Sequence, residues 1–158
     1  MKKRIRKKPF IISLTILAWL LVSIAYSHCQ IPCGIYDDQA RFDIIAEHIT
    51  TIEKSMNEIR KLSEQDKPNM NQIIRWVQNK EEHADELGYI VTYYFMTQRV
   101  KPIPNTQVRE YDEYVEKLTL LHKMLVFSMK SKQTTDISNV EELRSLLDKF
   151  HSVYFDKT

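Results

Sequence analysis

Apolar residues along this chain recur at alternating spacings of three and four, the period that lines up one face of a helix. From about Asp38 to Glu64 the seam is Ile45, Ile49, Ile52, Met56 and Ile59. A second stretch, from about Asn69 to Arg99, carries Met70, Ile73, Val77, Ala84, Leu87, Val91 and Tyr94, with Lys80 interrupting the register. The third, from about Thr106 to Ser131, carries Tyr111, Tyr114, Leu118, Leu121 and Leu125; the fourth, from about Asn139 to Tyr154, carries Val140, Leu143, Leu147, Phe150 and Tyr154. Asn69 with Gln72, and Ser138 with Glu141, have the spacing of capping boxes, while Pro68 and the pair Pro102 and Pro104 interrupt helix between stretches. Short connections make sequential amphipathic helices antiparallel, so the pattern predicts an all-α, up-down-up-down four-helix bundle over residues 37–158. Composition agrees: 2 glycines in 158 residues are too few for the tight turns of a sandwich or barrel.

Charge changes the picture at the N-terminus. Six basic residues (Lys2, Lys3, Arg4, Arg6, Lys7 and Lys8) crowd the first eight positions, leaving 17 basic against 21 acidic side chains after position 27. The body is therefore mildly acidic and offers no basic nucleic-acid-binding surface. The cationic start, the apolar run from Phe10 to Ala25 and the small residues Ala25 and Ser27 read as a secretory signal peptide over residues 1–27, cut before His28. The expected product is exported to a periplasmic or extracellular location and touches membrane only through the leader before cleavage. A dedicated processing protease would instead leave it in the cytoplasm. The rival is an uncleaved membrane anchor, although an apolar run of 16 residues falls at or below the roughly 17 to 25 that span a bilayer.

The only two cysteines, Cys29 and Cys33, follow directly on that cut. Cleavage would place a free α-amine, the His28 imidazole, the Cys29 amide and its thiol within two residues, with the Cys33 thiol four positions on. The amine nitrogen, the Cys29 amide nitrogen and the two sulfurs can close fused chelate rings in one plane. Square-planar N and S ligation suits nickel(II) or copper(II) rather than tetrahedral zinc. The His28 imidazole can add an axial fifth ligand, and two thiolates with a deprotonated amide push electron density onto the metal. Pro32 and Gly34 supply the turn that folds Cys33 back toward Cys29, and Tyr36 comes round to the open face, where its hydroxyl can position a small ligand or deliver a proton.

The run His28, Cys29, Gln30, Ile31, Pro32, Cys33, Gly34, Ile35, Tyr36 closely resembles the hook of nickel superoxide dismutases, whose motif is His-Cys-X-X-Pro-Cys-Gly-X-Tyr. Asp37, Gln39, Ala40 and Arg41 resemble the family's continuation, and a weaker likeness runs on to the end of the chain. The resemblance implies a four-helix bundle assembled as a homohexamer, with a nickel ion held by His28, Cys29 and Cys33 in a hook over residues 28–36. It also implies Tyr36 guarding the open face and superoxide as substrate, dismuted to oxygen and hydrogen peroxide by a Ni(III)/Ni(II) cycle with His28 and Tyr36 as catalytic residues. Gln30 departs from the aspartate common at that position. A glutamate and an arginine orient the axial imidazole in better-known members; Asp43 falls near the first place, and the second helix offers Glu82 and His83 at the other, so Asp43 and His83 are the expected orienting groups.

Two other readings compete. A non-catalytic, exported or membrane-anchored helical bundle would close Cys29 and Cys33 into a disulfide. A thiol-disulfide enzyme is disfavoured because three residues separate the cysteines where that chemistry uses two. The remaining histidines, His48, His122 and His151, read as helix-surface or core-edge residues. Tyr89, Tyr93, Tyr94 and Phe95 read as core or subunit interface, and Lys101, Lys130 and Lys132 as solvated loop lysines.

Overall fold

The computed structural model describes residues 37–155. Four helices account for nearly all of them, and no strand occurs among the described residues. Helix α1 is Asp38–Ser63, α2 begins as Met70–Tyr89, α3 is Val108–Gln133 and α4 is Ser138–Phe155. Each follows from its apolar stripe: Ile45, Ile49, Ile52 and Met56 of α1 are fully buried, as are Leu87 and Val91 of α2, Leu121 of α3, and Leu143 and Phe150 of α4. Met70 is the exception. It sits at the first turn of α2 and is 60% exposed among the described residues.

Consecutive helices pack against each other, and α1 also packs against α4, which closes the ring. Side-chain contacts fix the directions. Arg99, at the end of α2, meets both Asp38 at the start of α1 and Tyr154 near the end of α4. A cavity of about 400 Å³ lies between α2 and α3, and a second, of about 310 Å³, joins Arg99 and Tyr154 to Glu110 and Tyr114 near the start of α3. One end of the bundle thus holds two helix starts and two helix ends, the up-down-up-down arrangement.

Helix starts follow local chemistry with one change. Asn69 caps α2 by accepting from the Gln72 backbone N–H at 3.2 Å, as its spacing predicts. At α4 the capping oxygen belongs to Asp136, which accepts from the Ser138 N–H at 3.0 Å, so Ser138 lies inside the helix rather than before it. α3 extends to Gln133, which puts Lys130 and Lys132 on its last turn instead of in a loop. There Lys132 pairs with Asp85 at 2.7 Å, and the Lys130 ammonium lies 4.5 Å from the centre of the Phe127 ring.

Beyond Tyr89 the second helix does not end. It widens into a π-helix over Ile90–Arg99, with the Val100 N–H donating to the Phe95 carbonyl five residues back. The wider turn brings adjacent pairs inward together: Ile90 with Val91 and Tyr94 with Phe95 are all buried. Tyr89 and Tyr93 stay on the outside, 53% and 45% exposed, their rings stacked at 4.5 Å. The four aromatic residues grouped in the sequence therefore divide into two core and two surface side chains.

Lys80 explains its own interruption of the seam. Its side chain is buried, and Nζ donates to the carbonyls of Lys132 at 2.6 Å and Thr134 at 3.0 Å. Those oxygens belong to the last turn and C-cap of α3, where carbonyls lack intrahelical donors and the helix dipole favours a cation. Burial lowers the Lys80 pKa, the cost of using an ammonium as an internal cap. Lys80→Met keeps the stem and deletes the donor. It is expected to destabilise the bundle by about 2–3 kcal/mol, read as a lower denaturation midpoint at unchanged slope. An unchanged midpoint would mean that the burial cost cancels the two hydrogen bonds.

Candidate metal centre

The sequence-predicted ligands His28, Cys29 and Cys33, and Tyr36 with them, lie outside the described residues, as do the leader and the rest of the hook. What the structure describes is the platform that follows. Asp37 has φ 71°, ψ 140°, a backbone conformation that costs a non-glycine residue on the order of 1–3 kcal/mol. Its carboxylate offsets this by capping α1, accepting from the Gln39 N–H at 3.2 Å.

Asp38, two positions after Tyr36, is the hub of a polar knot. Tyr94 and Arg99 from the second helix donate to its two carboxylate oxygens, and the Tyr154 hydroxyl from α4 donates at 2.7 Å. Arg99 Nε also donates to the Tyr154 hydroxyl at 3.3 Å. Burial opposes the Asp38 charge, but these donors outweigh it and hold the carboxyl below the usual carboxylate range. Desolvation and the adjacent carboxylate push the Tyr94 phenol up to about 12 and raise Tyr154 as well, while the Asp38 and Tyr154 hydrogen bonds keep Arg99 firmly cationic. Under the knot lies an aromatic plug in which Phe42 packs 4.9 Å from Phe95 and 5.3 Å from Phe150, ring centre to ring centre.

The two expected orienting groups are not neighbours of each other in these contacts. Asp43 is exposed and accepts from Gln39 Nε2 at 2.9 Å; the Gln39 carbonyl oxygen in turn faces His151 Nε2 at 2.9 Å. His83 turns instead to His48, with the two Nδ1 atoms 2.8 Å apart, and Glu86 stands 3.4 Å from His48 and 3.8 Å from His83. His48 is 8% exposed at the core edge, and its burial lowers its pKa. His122 is exposed on α3.

The knot was not visible from sequence, because its residues are separated by 56, 61 and 116 positions. Its one local signal was a carboxylate at the first position of a helix. Glu86 was likewise unmarked, although its spacing of three from His83 puts both on one helical face.

The family model for nickel-containing superoxide dismutase matches residues 23–158. The chain belongs to that family. The match takes in the whole bundle together with positions 28–36. No curated protein and no solved structure matches the chain. Membership makes this superoxide dismutase an oxidoreductase with a nickel cofactor and superoxide as its substrate. Among the described residues no helix is long and apolar enough to cross a membrane.

Proposed function

We propose that the leader, residues 1–27, is removed on export and that the new N-terminus at His28 becomes the nickel centre of the dismutase. The supporting observation is that the family match, residues 23–158, takes in His28, Cys29 and Cys33, which together carry a complete N and S donor set once His28 is the N-terminus. Two soft thiolates, an amine and a main-chain amide would make a donor set that fits nickel and disfavours zinc. When bound, nickel would supply a one-electron couple, Ni(III)/Ni(II), for the dismutation of superoxide. Two superoxide ions and two protons then yield one oxygen and one hydrogen peroxide.

The chain's own groups divide the remaining work. Cys29 and Cys33 would supply anionic sulfur to the metal, His28 would supply its amine and its imidazole, and Tyr36 would hold or donate a proton beside it. Asp43 and His83 are the candidates to fix the second nitrogen of His28. Asp43 is exposed, whereas His83 must first exchange its His48 partner. A homohexamer fits the outer apolar side chains Tyr89, Tyr93 and Met129, which border the larger cavity between α2 and α3 and are suited to a subunit contact.

The test is to fractionate cells, purify the processed protein, and determine its N-terminal sequence, nickel content and dismutase activity. The expected result is an exported protein beginning at His28 with stoichiometric nickel and activity proportional to it. A metal-free protein with Cys29 and Cys33 joined in a disulfide would establish the non-catalytic bundle instead.

A further inference from the structure

We propose that His48, His83 and Glu86 form a second metal site, built from donors other than those of the hook, which takes one divalent ion of the zinc class. The three donor atoms come from two packed helices. His48 projects from α1, while His83 and Glu86 are spaced three apart on α2 and so share a face. All three donors lie within 4.8 Å of one another.

The distances suit an ion at their centre. With metal–nitrogen and metal–oxygen bonds of about 2.0–2.2 Å, tetrahedral donors sit roughly 3.3–3.5 Å apart. The His48–Glu86 separation of 3.4 Å already matches, and that of His83 to Glu86, 3.8 Å, needs only a small rotamer adjustment. The two imidazole nitrogens, at 2.8 Å, must part by about half an ångström. In the ion-free protein that close approach is a hydrogen bond, which requires a proton on one Nδ1 and none on the other. An entering dication displaces this proton and takes both nitrogens as neutral ligands.

Two imidazoles and one carboxylate are borderline donors suited to zinc, whereas the hook's thiolates are not among them. The surroundings favour a dication. Glu47 lies close enough to act on the charge of His48, and Glu86, with its side chain 53% exposed, leaves one side open to water. Helical backbone on both sides, with Ile49, Ala84 and Leu87 buried next to the ligands, holds the donors in place. Three protein ligands and an open fourth position are the pattern of an accessible rather than a sealed site. A His83 committed here leaves Asp43 as the group available to orient His28.

The test separates this site from the hook. Protein beginning at His28 and carrying Cys29→Ser with Cys33→Ser is titrated with Zn²⁺ against a chromophoric chelator, and with Co²⁺ while its visible spectrum is followed. One equivalent should bind, Co²⁺ should develop the intense visible bands of tetrahedral coordination, and Tm should rise by about 8 °C at a hundredfold excess over Kd. His83→Gln should weaken binding by at least about a hundredfold and remove the cobalt bands. Glu86→Gln, at an exposed position, keeps an oxygen donor and removes only its charge, so it should weaken binding by a smaller factor, about tenfold. Absence of binding by the cysteine-free protein, or binding unchanged by both substitutions, would overturn the proposal. Neither result bears on nickel in the wild-type hook, which is measured separately.

Discussion

Replacing either hook cysteine with serine is expected to reduce nickel to background and dismutase activity by well over about a hundredfold, because loss of a direct ligand costs more than the 10- to 100-fold typical of an outer-shell partner. A serine hydroxyl stays protonated near neutral pH and is a hard, weak ligand where the proposed site uses a soft thiolate. The same variants should keep their helix content. Among the described residues the core runs from Phe42 to Phe150 through aliphatic and aromatic side chains, and both cysteines precede the first apolar seam in the sequence. Metal analysis, a superoxide-decay assay and far-UV circular dichroism on Cys29→Ser and Cys33→Ser decide the matter together. Full activity in either variant would remove the hook from the mechanism.

An equally large effect is expected from blocking cleavage. In the precursor the His28 nitrogen is an amide bonded to Ser27, and a main-chain amide binds metal only after losing a proton it holds tightly. After cleavage the same nitrogen is an α-amine with a pKa of about 7.7–8.0, which a metal deprotonates at neutral pH with little penalty. On the proposed reading, cleavage therefore creates a ligand. A precursor carrying Ala25→Arg with Ser27→Pro should be inactive after nickel loading, whereas protein starting at His28 should be fully active. Equal activity per nickel in the two preparations would show that the free amine is not a ligand.

The fold was legible because its information is local and periodic. Ile45, Ile49, Ile52 and Met56 announce the buried face of α1, and Leu143, Leu147 and Phe150 that of α4. Asn69 announced the start of α2 by its own hydrogen-bonding chemistry. Where the sequence reading fell short, the cause was partnership across the fold. Lys80 looked like a defect in the seam, since nothing near it in the chain reveals that the end of α3 needs a donor. The π-helix was hidden because the adjacent residues Tyr94 and Phe95 both face the core only once the turn widens. His48 and Glu86 looked ordinary alone, and their meeting with His83 depends on how α1 and α2 are rotated against each other. The hook residues stood out because their donor atoms lie within a few bonds of one another along the chain, so their chemistry needs no tertiary contact to be recognised.

The knot around Asp38 also bears on chain entropy. Helix ends ordinarily fray, their outermost residues opening at almost no free-energy cost. Here the first residue of α1 is bonded to the end of the second helix and to the penultimate residue of α4, so fraying at one terminus means breaking contacts with the other. The opening that would loosen this end is thereby tied to larger, rarer unfolding events. The start of α1 is consequently a fixed post and not a fraying helix end. Less disorder then has to be lost at that end of the bundle when a ligand binds beside it, which leaves more of the binding free energy to hold the ligand.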